Sequence, residues 1–200
     1  MIRGGRGSWL MALTAMITVA SVAACGSGPL QTLSSQGQPD LANASTLVRP
    51  GQSADGETYV VNSGPGAVQD TGVSAVTIPG VPAGRLVHVG LPTTGAGVAA
   101  MRGWPPTGVP VRRFIGAELP HGVTGIVFGI TGSVIGGHYA VAGLRIEYRY
   151  RLQTYSTIAW AGMTACVTPN PNTASRKSFA SCEQFSNSVN SILEKMAGLS

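Results

Sequence analysis

The chain has 200 residues, 44% of them hydrophobic and only 10% charged, with 28 Gly and 13 Pro. Gly and Pro are the two poorest residues in a helix interior, so this composition excludes a bundle of long helices and favours short strands joined by turns. The formal charge is +5, but Arg3 and Arg6 stand in the first eight residues; the remaining 11 basic residues against 8 acidic ones leave +3, without the dense basic stripe of a nucleic-acid binder.

The first element is a leader. Met1 to Ser8 is short and positive, and Trp9 to Val22 is an uncharged run. That run is too short to span a bilayer, which takes about 20 apolar residues. A charged start, a short apolar stretch and small residues after it describe a signal peptide over residues 1–24. Val22-Ala23-Ala24-Cys25 resembles the lipobox of bacterial lipoproteins. The resemblance covers the leader alone. It implies cleavage before Cys25, a diacylglycerol thioether on that cysteine, and a protein held at the extracytoplasmic face of the cell membrane. Two acyl chains suffice for stable anchoring where one does not. The Gly- and Ala-rich composition, with Arg largely in place of Lys, resembles that of actinobacterial chains.

Residues 26–56 carry no period of 2 or 3.6 and no aromatic residue. Ser, Gln, Gly, Pro, Asn and Asp dominate, so residues 25–56 are expected to be a lipidated N-terminus and disordered tether. About 30 flexible residues would have a root-mean-square length of roughly 30 Å.

From Glu57 to Ser200 the pattern predicts a single domain that is mainly β: an antiparallel β-sandwich with a C-terminal amphipathic helix. Glu57–Val61, Ala67–Ile78, Arg85–Leu91, Val109–Leu119 and Val123–Ile130 are Val- and Ile-rich runs separated by Gly and Pro. Leu144 to Leu152 alternates strictly, with Leu144, Ile146, Tyr148, Tyr150 and Leu152 on one face and Arg145, Glu147, Arg149 and Arg151 on the other. This is the pattern of a strand half buried and half in water. Gln153-Thr154 is expected to turn the chain into a second strand, Tyr155–Val167, on which Ile158, Trp160, Thr164 and Cys166 share a face. In the tail, Phe185, Val189, Ile192, Leu193 and Met196 form one helical stripe. Ser181 with Gln184 resembles a capping box and Gly198 a helix end, predicting a helix over 181–197.

With Cys25 lipidated, Cys166 and Cys182 remain. In an oxidising exported setting this even pair predicts a disulfide, and closing a loop of that size contributes about 3 kcal/mol.

No catalytic constellation holds. His88, His121 and His138 lack the close ligand pair of a zinc site, and no other metal site or cofactor is implied. Gly132-Ser133-Val134-Ile135-Gly136 displaces the second Gly of a nucleophile elbow. Gly95-Ala96-Gly97-Val98-Ala99-Ala100 lacks the strand–helix context of a dinucleotide loop. Asp70 is the one Asp inside the expected domain. The remaining feature is basic: Arg112, Arg113, Arg145, Arg149 and Arg151 form a single face for anionic lipid, wall polymer or an acidic partner if their strands are neighbours. The sequence therefore points to a membrane-held, non-enzymatic binding or accessory module, with an envelope polymer or protein as its partner. A small envelope hydrolase and a carrier of an apolar molecule are the alternatives. A deep cleft holding His and an acid within hydrogen-bond reach would favour the first of these, a large internal cavity the second, and a flat surface with an arginine cluster the binding module.

Overall fold

The computed structural model describes residues 28–32, 34–35, 38–39, 43–93, 101–132 and 137–198. Cys25, the leader and the Gly95–Ala100 loop lie outside the described residues, as does Ser133–Gly136 of the elbow-like segment. The strands are β1 Leu30–Thr32, β2 Ser34–Ser35, β3 Gln38–Pro39, β4 Asn43–Val48, β5 Ala54–Asn62, β6 Val68–Val76, β7 Arg85–Pro92, β8 Met101–Arg102, β9 Val111–Arg113, β10 Glu118–Leu119, β11 Gly122–Thr131, β12 His138–Tyr150 and β13 Gln153–Val167; helix α1 spans Arg176–Met196.

One sheet runs β1-β5-β11-β7-β9 with β8 paired to β5, the other β10-β6-β12-β13-β4, and β2 pairs with β3. The two larger sheets close on one core that includes Phe114, Phe128, Ile126, Leu144, Ile146, Tyr148 and Met163. The expected sandwich with a C-terminal helix is therefore present. It is mixed rather than purely antiparallel, because β4 joins β13 in parallel, from Asn43 opposite Gly162 to Val48 opposite Val167.

Within the expected disordered tether, residues 30–32, 34–35, 38–39, 43–48 and 54–56 are instead in strands, while 25–27, 33, 36–37 and 40–42 lie outside the described residues. Leu30, Leu47, Val48 and Ala54 are buried, and β1 lies antiparallel to the end of β5, with Leu30 opposite Asn62. Each of these short segments supplies only one or two apolar side chains. Their burial comes from strands distant in sequence, so no local period announces them.

The alternation of β12 holds from Leu144 to Tyr148. Upstream the core-facing phase is carried by Tyr139 and Val141 instead, and the register with β13 shifts between Val141 and Gly143. Gly143 has φ 153, and a Cβ there would come within 2.2 Å of the Ala159 carbonyl oxygen. The turn comes two residues before the expected Gln153-Thr154: Tyr150 pairs with Gln153, leaving Arg151-Leu152 as a two-residue connection. Leu152 thus leaves the buried face and is 99% exposed. The expected strand Val109–Leu119 divides into β9 and β10, separated by a turn in which the Ala117 N–H donates to the Phe114 carbonyl.

On β13, Ala159, Ala161, Met163 and Ala165 face the sandwich core. Trp160 turns to the other side with Ala140 and Ala142, where Val189 and Leu193 of α1 cover them, flanked by Phe185, Ile192 and Met196. The helical stripe is as expected, but the helix begins earlier than Ser181. Ser175 caps it, accepting from the Ser178 N–H at 3.2 Å, a side-chain bond that satisfies a free donor of the first turn. Gly198 follows the end at φ 71, its N–H donating to the Lys195 carbonyl. Cys166 and Cys182 form a disulfide with Cα atoms 5.8 Å apart, joining α1 to β13 beside Leu47 of β4.

Candidate functional site

The site grows from a glycine in the middle of a sheet. On β11, Ile126, Phe128 and Ile130 face the core, so Val127 and Gly129 face outward. Val127 is covered there by Val109, Met101, Trp104 and Val111. Gly129 pairs with Asp55 of β5 on one side and His88 of β7 on the other. These two side chains flank a strand that offers none of its own, and they lean into the vacancy. A Cβ on Gly129 would stand 2.5 Å from Asp55 Oδ1, 3.5 Å from His88 Cδ2 and 3.5 Å from Ser53 Cβ. Gly125, two steps down the same face, makes similar room for Glu57, whose Oε1 lies 2.7 Å from where its Cβ would be.

Asp55 is fully buried, and neither carboxylate oxygen has a hydrogen-bond partner. Removal from water raises its pKa; the nearby Ser53 side chain and the positive field of His88 oppose that rise. The Ser53 hydroxyl does so without reaching hydrogen-bond geometry with either oxygen. A buried carboxyl with free lone pairs is costly, so this position stores polarity that the fold itself does not use. Burial, together with a hydrogen bond and negative charge from Glu57, likewise pushes Tyr59 up to about 12.

His88 stacks on Trp104, with ring centroids 5.0 Å apart and planes inclined by 14°. Beside this pair opens a cleft of about 750 Å³, lined among others by Gln52, Ser53, Arg85, His88, Trp104 and Thr131. The lining joins an aromatic wall to an amide, two hydroxyls and a guanidinium. This composition fits a polar ligand with a flat apolar face. The cleft lies on the outer side of the β5-β11-β7 sheet, at its β5 N-terminal end.

The sequence-derived candidates fall elsewhere. Arg145 and Arg149 are exposed on β12, where Arg145 pairs with Ser74 and Ile158, and Arg149 with Gln69 and Thr154. Arg151 occupies the turn, its guanidinium 5.2 Å from the Tyr150 ring centroid. Arg112 and Arg113 belong to β9, an edge of the other sheet. The single five-arginine face is therefore not formed, because β9 and β12 are not neighbours. The histidines are dispersed as well: His121 Nδ1 lies 2.8 Å from the Gly64 carbonyl, while His138 packs on Phe185 near Ser181. Among the described residues, no group of three or more His, Cys, Asp or Glu is placed to hold a metal ion. No helix among them is long and apolar enough to cross a membrane.

Sequence reasoning missed Asp55 because it placed the domain boundary at Glu57. The signal was present: Ser53, Asp55, Glu57 and Tyr59 alternate with Ala54, Gly56, Thr58 and Val60, one strand continuing back past the expected boundary. The pairing of Gly129 with both Asp55 and His88 carried no local signature.

Compared with protein-family models and with curated proteins, the chain matches none.

Proposed function

We propose that this chain is an exported envelope lipoprotein, held to the membrane by a lipid on Cys25, whose sandwich is a non-enzymatic binding module that takes an envelope polymer into the cleft beside Trp104. The leader and its Val22-Ala23-Ala24-Cys25 motif support the address. The observation that carries the binding role is the cleft itself: a stacked His88–Trp104 pair facing hydroxyl, amide and guanidinium groups, with the unpartnered Asp55 behind it. Sugar rings offer an apolar face for an aromatic side chain and hydroxyls for the polar ones, and Arg85 favours a polymer bearing anionic groups.

A hydrolase is the second reading, favoured by the convergence of Ser53, His88 and Asp55 around Gly129. Nucleophilic catalysis of this type needs the base oriented by a hydrogen bond that its imidazole N–H donates to the acid. The Asp55 oxygens make none, which supports binding over turnover.

Calorimetric titration with soluble fragments of cell-wall glycan and of anionic wall polymer tests the proposal. Binding that weakens at least tenfold in Trp104→Ala and in Arg85→Gln, with the fragments recovered intact, is the expected outcome. Absence of binding by the native protein contradicts the module. Fragment cleavage abolished in Ser53→Ala replaces it with the hydrolase.

A further inference from the structure

We propose that the β12–β13 turn is a membrane-docking tip, Leu152 entering the lipid interface while Arg149 and Arg151 meet anionic phospholipid headgroups, so that the sandwich stands end-on with its cleft turned away from the membrane. This rests on the lipid-anchor reading above. A single exposed leucine is ordinary on a protein surface; three further observations set this one apart.

The first is where the chain enters the fold. Gly28 lies against the ring of Tyr155 and the hydroxyl of Tyr148, and the Leu30 N–H donates to that hydroxyl at 3.3 Å. Tyr148 and Tyr155 pair across the last rungs of the hairpin whose tip is Arg151-Leu152. Cys25 precedes Gly28 by only three residues, a reach of at most about 11 Å. A lipid on Cys25 would therefore bring this end of the domain, and no other, to the bilayer surface.

The second is the chemistry of the tip. Leu152 is 99% exposed, and Arg149 and Arg151 are exposed beside it. Glu118 lies two strands from Arg149, across Gln69, and Glu147 stands two residues back along β12. Glu147 sits up the sheet from the tip, and Glu118 stands level with Arg149 but two strand spacings, about 10 Å, to its side, so the turn itself presents cations. An apolar residue among arginines suits an anionic interface, where each cation near the surface strengthens attachment severalfold.

The third is strain. Arg151 holds φ 56, a left-handed conformation uncommon for a residue with a Cβ, which concentrates at functional positions. Glycine would adopt it freely.

The same topology places the cleft at the far end. Ser53 and Gln52 precede β5, while Leu30 and the membrane-side turns flank its C-terminus at Asn62. The nine residues Ala54–Asn62 extend over about 26 Å.

The test uses the mature lipidated protein in vesicles. With Cys25 blocked by lipid and the other two cysteines joined, Leu152→Cys and Gln52→Cys each supply one free thiol for an environment-sensitive fluorophore. In vesicles containing phosphatidylglycerol and a lipid-borne quencher, the label at position 152 should lose most of its emission and the label at 52 should keep it. In pure phosphatidylcholine the loss at 152 should fall at least fivefold. A label at 152 that stays in water while the lipidated protein remains on the vesicles overturns docking and leaves the anchor standing. Equal loss in both vesicle types overturns the role of the arginines. A protein whose mass shows unmodified Cys25 overturns both the anchor and the docking built on it.

Discussion

At the scale of single residues, burial governs Asp70. Its side chain is 1% exposed on the core side of β6, opposite Tyr148. Desolvation pushes its pKa up to about 7; the backbone N–H groups of Gly116 and Gly72 pull it down, without reaching hydrogen-bond geometry, and the charge of Glu147 raises it. A carboxyl whose pKa is higher folded than unfolded stabilises the fold fully at low pH, and that stability is lost as pH rises through the folded value. Asp55, shifted in the same direction, adds to the trend. Urea unfolding should therefore show a drop on the order of a few kcal/mol between pH 4 and pH 8. In Asp70→Asn that pH dependence should shrink markedly; an undiminished slope would remove Asp70 as its source. Gly129 is the second residue-scale test. Gly129→Ala drives a methyl into Asp55 Oδ1 and should cost about 1–3 kcal/mol, the range for overpacking, while abolishing binding in the cleft. Full stability and full binding would show that the vacancy over Gly129 is not needed.

At the scale of elements, the sequence was most legible where a single strand or helix decides its own face. The alternation of Leu144, Ile146 and Tyr148 and the stripe of Phe185, Val189 and Leu193 report burial directly, because each element meets one continuous core. Legibility failed where a partner distant in sequence decides. β1 and β4 are ordered by pairing with β5 and β13, and the cleft arises from three strands aligned on Gly129; neither has a local period. The turn was misplaced because Arg151 adopts a conformation more typical of glycine, so the turn carries none of the usual residues. The disulfide was readable from the expected compartment and the cysteine count alone. It fastens α1 to β13 and packs beside Leu47 of β4. Replacing both cysteines by Ala should lower stability by about 3 kcal/mol and fray the helix start, seen as faster amide exchange over Arg176–Ser186 than in the core of β12. Unchanged melting of the double variant would show that the helix is held by its apolar stripe alone.

At the scale of the whole molecule, the two ends of the sandwich differ. The end where the chain enters carries the β12–β13 tip, and the opposite end of β5 carries the cleft. With Leu30–Thr32 and Asn43–Val48 in strands, the proposed anchor at Cys25 would be joined to the fold through only the few residues before Gly28. On the proposed anchoring, reach away from the membrane would come from the length of the sandwich rather than from a flexible leash. The N-terminal peptide of the protein recovered from the membrane fraction tests this arrangement most directly. Mass spectrometry should find a mature chain that begins at Cys25 and carries a diacylglycerol on its sulfur. A chain that retains the leader, begins elsewhere, or bears a free thiol on Cys25 would contradict it.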